Sequence, residues 1–205
     1  MIFCFSVNSE QRTANNLEII TERAEETKKL GRILAKELLK GNSKRKKAVV
    51  IGLEGELGSG KTAFVQGMAK GFGIKQRITS PTFVIMKRYG VHFLGQDKKS
   101  LPKGRSPVFF YHLDCYRITE PKDLLDLDFK EIINNSQNIV AIEWAERVRK
   151  ILPENSLWIK FEHLTEEKRR LIIPRPDLLG ASLLKNLGAR LLNAVKRSDP
   201  GTASL

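Results

Sequence analysis

Cysteine is scarce in this chain: two in 205 residues, Cys4 and Cys115, far apart and in no metal-ligand spacing. That excludes a disulfide framework and a cysteine-built zinc site. One bridge between the two stays open, but two thiols in a chain of this size suit a reducing cytosol better. Long apolar runs are missing as well. The apolar segments are short and broken by charge, far below the ~20 residues that span a bilayer, so no membrane role is expected. The opening "MIFCFSVNSE" has neither a basic n-region nor a small-residue cleavage site, and residues 2–7 read as a first strand rather than a secretory signal. Aromatic residues are sparse at 7% and do not interleave with the basic clusters at residues 44–47, 98–99 and 168–170. A base-stacking platform for nucleic acid is therefore not indicated. There is no internal repeat. Acidic residues are in deficit, 23 against 36 Lys and Arg, giving a formal charge of +13. A balance of this kind fits an acidic partner or mere solubility, and the spread of the basic residues leaves both open.

What is present suits one globular domain over residues 1–205, with 41% hydrophobic content to build a core. Residues 21–40 place Ala24, Leu30, Ile33, Leu34, Leu38 and Leu39 at helical spacing. "AVVIGLE" (48–54) is short, apolar and β-branched, the mark of a buried strand. Ala63 to Phe72 reads as a helix stopped by Gly71 or Gly73. After the break at Ser80-Pro81, "TFVIMKRY" and "PVFFYHLD" read as strands of a hairpin whose tip, residues 90–106, is long and rich in Gly, Lys and Pro. Residues 121–135 form a helical stretch opened by Pro121. "NIVAIEW" (138–144) is a buried strand. "NSLWIKFEHL" and "KRRLIIP" are strands expected to pair at a sheet edge, residues 177–196 an amphipathic helix, and 197–205 a flexible tail. Strands alternating with helices predict an α/β fold, helices packed on a central, mixed and partly parallel sheet.

Between the strand at 48–54 and the helix lies "GELGSGKT", Gly55 to Thr62, which fits G-x-x-x-x-G-K-[ST], the phosphate-binding loop. Its glycines let backbone N–H groups turn inward as an anion nest, and the start of the following helix adds its positive end. Lys61 would reach the β- and γ-phosphates, and the Thr62 hydroxyl would ligate Mg²⁺. A plain glycine-rich turn would need neither. Two acids follow buried strands: Asp114 after "VFFYHL" and Glu143 after "IVAI". Each would open at the C-terminal edge of the sheet, where open α/β sheets bind ligands. Either alone is as easily a helix cap or a solvated strand end; together, beside a phosphate loop, they point to chemistry.

These residues resemble a family. "ETKKLGRILAKEL", "GELGSGKTAF", "SPTF", "YHLDCYRI", "DLLDLDFKEII" and "AIEWAERVRKILP" come in the order and approximate spacing of TsaE, formerly YjeE. The resemblance covers about residues 20–175. The loop is shared by many families; "SPTF", "HLDCYR" and "EWAER" together are more specific. It implies a three-layer P-loop NTPase domain, a Mg²⁺-dependent ATPase of the cytoplasm, needed to make threonylcarbamoyladenosine in tRNA. It further implies partners of the TsaB and TsaD kind, which hold the transfer chemistry, with tRNA met only indirectly within that complex. By position, Gly55, Glu56, Leu57, Gly58, Ser59, Gly60, Lys61, Thr62 and Ala63 would bind ATP. Thr27 would lie near the base and Trp144 near the nucleotide. Lys61, Asp114 and Glu143 would be catalytic, with Thr62, Asp114 and Glu143 around the metal. Ser80 and Thr82 would belong to a switch-like segment sensing the γ-phosphate, although a plain turn explains Ser80-Pro81-Thr82 equally well. Arg117 is either a charge-neutralising or docking residue or a solvated surface arginine.

The chain departs from the family at Glu56, where Asp is common, and at Asp128, where glycine is usual and a turn would be altered. The 90–106 insert is longer than a typical tip and reads as a loose loop ahead of a tRNA or protein contact. Two other functions share the same loop. A small-molecule kinase would need an acceptor pocket and an arginine-rich lid, for which only the insert is available. A nucleotide-switched RNA-binding protein would grip tRNA by itself.

Overall fold

The computed structural model describes residues 16–40, 45–80, 85–91 and 108–174. The strand expected at 2–7, Thr82, most of the 90–106 insert, the helix at 177–196 and the tail lie outside the described residues.

The apolar run before the glycine loop forms strand β2 (Val49–Glu54), and the equally apolar "NIVAIE" forms β5 (Asn138–Glu143). They pair in parallel, with β6 (Leu157–His163) on the other side of β2 and β4 (Phe109–Asp114) on the other side of β5. Strands buried on both faces need apolar residues at every position, which is why β2 and β5 show no alternation. Successive residues serve opposite layers. Ile51, Leu53, Ile139 and Ala141 join one core, with Phe64, Met68 and Phe72; Val50, Val140 and Ile142 join the other, with Leu124, Phe129 and Val148. The first core lies under helices α1 (Ala24–Lys40) and α2 (Lys61–Gly71). The second lies under the short helices α3 (Lys122–Leu125) and α4 (Phe129–Asn134) and a 3-10 segment, Ala145–Ile151. The result is the expected three-layer α/β arrangement.

Strands β3 (Met86–Gly90) and β4 form the predicted antiparallel hairpin. β6 and β7 (Arg169–Pro174) are also antiparallel, as expected, but not at the edge. The sheet runs β1-β7-β6-β2-β5-β4-β3, and β1 (Asn16–Thr21) covers β7. The sequence pattern gave no sign of β1. As an edge strand, most of it is only half-buried, so neither a clean alternation nor an unbroken apolar run marks it. The stretch 121–135 is two helices rather than one. Asp128 adopts φ 55° and ψ 25°, a left-handed turn that breaks the run just before α4. Position 128 is where a glycine would have met the same demand without strain.

Helices α1 and α2 lie against each other without room for a methyl group at their crossing. A Cβ at Gly67 would sit 1.9 Å from the Lys28 carbonyl oxygen, and one at Gly31 2.1 Å from that of Phe64. Because α2 begins at Lys61, this contact also sets where the phosphate loop ends.

Candidate functional site

The loop between β2 and α2 needs backbone that most residues avoid. Gly55, Gly58 and Gly60 have φ of 141°, 75° and 103°, all in the region open to glycine. Gly60 caps α2 with no side-chain bond to the helix start, so the positive end of α2 faces the cleft undressed. That cleft, about 380 Å³, is lined by Leu57 to Ala63 and, across from them, by Ser80, Asp114, Tyr116, Glu143 and Trp144.

The register of the sheet explains why the two acids meet the loop. Asp114 and Glu143 are direct partners across the parallel β4–β5 pair, and Glu143 is also opposite Leu53, just before the loop. Sequence placed each acid at a strand end; the pairing sets them side by side. Glu143 is 3% exposed. Its Oε2 accepts a bond from Thr62 Oγ1 at 2.7 Å, and its Oε1 lies 2.7 Å from His112 Nε2. Asp114 Oδ1 accepts the Tyr116 N–H at 2.9 Å, and Oδ2 accepts the Ser80 hydroxyl. Ser80 thus joins the segment expected to act as a switch to one of the acids. Its expected companion Thr82 is outside the described residues.

Lys61 is folded back on its own loop. Its Nζ donates to the carbonyls of Gly55 (2.5 Å) and Glu56 (2.8 Å), lies 3.4 Å from Ser59 Oγ, and stands 4.0 Å over the Trp144 ring. Burial pulls its pKa below the ordinary lysine value, against the upward pull of Glu143, Glu146 and Asp114. Trp144 itself is held at φ 59°, left-handed backbone that a bulky residue rarely adopts. Ile85, whose carbonyl receives the Asp114 N–H at 2.9 Å, has φ 63°. Backbone held this way beside both acids is what a strained functional site shows.

Of the expected nucleotide residues, Thr27 stands apart from the cleft. It is fully buried, its hydroxyl 2.9 Å from that of Thr21, and its methyl lies 3.6 Å from where a Gly60 Cβ would be. It backs the loop from behind. Gly55 and Glu56 do not line the cleft, and their carbonyls accept from Lys61. Arg117 is exposed and does not line the cleft.

Three residues were not foreseen. His112 shares a sheet face with Asp114, two positions on, a signal that strand periodicity offers once the strand is known. Its Nδ1 is buried without a hydrogen-bond partner. Tyr116 packs on Trp144 with ring centroids 5.0 Å apart, and the Arg147 guanidinium lies 5.7 Å from each ring. Glu146 is half-buried with Oε2 unpartnered, and burial raises its pKa above the usual glutamate value. Among the described residues no group of three His, Cys, Asp or Glu side chains comes together as a metal site, and no helix is long and apolar enough to cross a membrane.

Comparison with known proteins bears on the family and the fold. Residues 21–171 match the family described as threonylcarbamoyl adenosine biosynthesis protein TsaE. The tRNA threonylcarbamoyladenosine biosynthesis protein TsaE of Treponema pallidum is 31% identical over 157 residues, which is 77% of this chain and 99% of that one. The protein of the same name in Bacillus subtilis is 32% identical over 151 residues, 74% of this chain and 80% of that one. The crystal structure of Bacillus subtilis YdiB superposes with a TM-score of 0.59 at 27% identity, covering 85% of this chain and 95% of that one.

Proposed function

The chain belongs to the TsaE family, whose members take part in threonylcarbamoyladenosine modification of tRNA, and from that premise we propose that it is a Mg²⁺-dependent ATPase serving that modification. The observation that carries the reading is the convergence of Lys61, Thr62, Asp114 and Glu143 on one cleft at the end of a phosphate loop. A triphosphate laid in the loop would meet the helix start and the nest N–H groups. It would also offer Lys61 better partners than two carbonyls, since burial there disfavours its charge.

The donors fit Mg²⁺. This cation prefers oxygen, keeps several waters and takes one or two carboxylates beside phosphate oxygens, so it needs no protein cage. Thr62 Oγ1 and Glu143 Oε2, already 2.7 Å apart, are the pair that would hold it. The arrangement matches the P-loop pattern of a loop Ser/Thr joined to a strand-end acid. When bound, Mg²⁺ would neutralise charge on the β- and γ-phosphates. His112 fixes the Glu143 carboxylate from the other side. Asp114, anchored by Tyr116 N–H and Ser80, would orient a water for in-line attack, with Lys61 absorbing charge that develops on the phosphate oxygens. The Ser80 hydroxyl links that acid to a segment able to respond to the γ-phosphate.

TsaB- and TsaD-type proteins are the partners, tRNA is met within their complex, and the cytosol is the place of work. The test is phosphate release from ATP by the purified chain, with and without its TsaB–TsaD pair. Turnover should rise with the pair and fall at least a hundredfold in Lys61→Ala, about 3 kcal/mol of transition-state stabilisation. Normal turnover in Lys61→Ala would overturn the site; turnover indifferent to the pair would overturn the coupling.

A further inference from the structure

The phosphate loop has a back as well as a front. Because β6 runs parallel to β2, its C-terminal end comes out at the same sheet edge as the loop. The β6–β7 turn therefore lies directly behind it. Phe161 backs the start of the loop so closely that a Cβ at Gly55 would stand 2.4 Å from its carbonyl oxygen. Two residues on, His163 Nε2 lies 3.1 Å from the Leu57 carbonyl oxygen. From the opposite strand of the hairpin, Arg169 Nη2 donates to the Gly58 carbonyl at 3.2 Å. The other arm of the same guanidinium is held by the turn: Nη1 donates to the carbonyls of Thr165 (3.0 Å), Glu166 (2.9 Å) and Lys168 (3.0 Å). Lys168 in turn pairs with Glu22, beyond the end of β1, at 2.8 Å. Neither His163 nor Arg169 lines the cleft.

A trans peptide points its carbonyl and the next N–H in opposite directions. Fixing the Leu57 carbonyl on His163 therefore turns the Gly58 N–H away from the hairpin, and fixing the Gly58 carbonyl on Arg169 does the same for the Ser59 N–H, which closes the loop's own turn on the Glu56 carbonyl at 3.2 Å. In a glycine-rich loop these orientations are not enforced by sterics, so something outside the loop must hold them. We propose that Arg169 and His163 are positioning residues that clasp the phosphate loop through its outward carbonyls, hold it in the shape that receives a polyphosphate, and so set nucleotide affinity without touching the nucleotide. The proposal rests on the nucleotide-binding reading above. It gives a role to one residue of the basic run at 168–170, which the sequence offered only as surface charge.

The geometry needs a fork. A guanidinium donates in two directions at once from a rigid plane; a lysine ammonium has the charge but not the span. The test is equilibrium binding of Mg-ATP and Mg-ADP to the full chain, its Arg169→Ala, Arg169→Lys and His163→Ala variants, and Lys61→Ala, with the melting temperature of each nucleotide-free protein. Arg169→Ala should bind about tenfold more weakly, as expected for losing one charge-assisted bond, with more of the steady-state loss in KM than in kcat. Arg169→Lys should stay within about twofold of Arg169→Ala. Full recovery in Arg169→Lys would show that charge alone matters and overturn the clasp. A lowered melting temperature with unchanged affinity would do the same, leaving only a structural role. Binding lost in Lys61→Ala yet intact in Arg169→Ala sinks the clasp and leaves the ATPase reading standing. No binding by the unmodified chain overturns both.

Discussion

Asp128 opens α4 with φ 55°, where glycine is the residue best suited and aspartate is among the few others that tolerate the left-handed region. The strain there is real but small, and glycine's larger freedom in the unfolded chain offsets part of any gain. Asp128→Gly should therefore raise the melting temperature by only about 1–2 °C, whereas Asp128→Val, β-branched at positive φ, should lower it by several. Thermal denaturation of the two variants decides this; a Val variant as stable as the parent would remove the strain argument. Glu146 is strained in another currency. Its Oε2 is buried and unpartnered, and burial raises its pKa. For an acid with a raised folded pKa, the favourable contribution is present below the unfolded value and is lost as pH rises through the folded one. Glu146→Gln, neutral at every pH, should melt higher than the parent at about pH 8 and match it near pH 4. Melting curves across that range check it; a constant difference would mean that ionisation is not the cause. Asp128 was marked in the sequence only through the family resemblance, and Glu146 not at all, because a φ angle and an unpaired oxygen are properties of the folded environment.

At the scale of elements, α2 links packing to chemistry. Its first residues are Lys61 and Thr62, and the same helix is pressed on α1 at Gly67 and Gly71. Gly67→Ala would place a methyl 1.9 Å from the Lys28 carbonyl oxygen, a backbone atom that no rotamer change can move. The helices must separate. The expected cost is about 3 kcal/mol of stability, at the upper end for overpacking, and a loss of ATP turnover because the loop end shifts with α2. Chemical denaturation and phosphate release measure the two effects; an unchanged denaturation midpoint would show that the crossing is looser than described. Gly31 and Gly67 were visible in the sequence but carried no meaning there, since inside a helix a glycine reads only as a weak point. β1 was missed for the opposite reason: "NLEIIT" is an ordinary half-buried edge strand, and only its pairing with β7 makes it an element.

For the molecule as a whole, one internal probe lies between the site and the second core. Cys115 directly follows Asp114, is fully buried, and burial together with the charge of Asp114 raises its thiol pKa to about 12. It stays protonated in the folded chain at neutral pH, so labelling requires opening of the sheet edge that carries both acids. In a Cys4→Ser background, modification of Cys115 by a thiol reagent at about pH 8 should follow the unfolding equilibrium in urea and slow further when Mg-ATP is bound. Fast labelling in the absence of denaturant would mean that this edge opens locally, without the rest.

One segment can hold only local information. The strand, glycine turn and helix around Gly55 to Thr62 are local, so their spacing was enough to read them, as was the strand-end placement of Asp114 and Glu143. The family followed from several such segments in order, and the α/β class from their alternation. Which residues stand next to one another is set by the fold. The register that makes Asp114 and Glu143 neighbours, the approach of Thr62 to Glu143, His112 behind that acid, Thr27 buried behind the loop, and the β6–β7 hairpin at the loop's back all join residues from separate elements. Sheet order and burial bring those residues together, and neither is written in the spacing of any one segment.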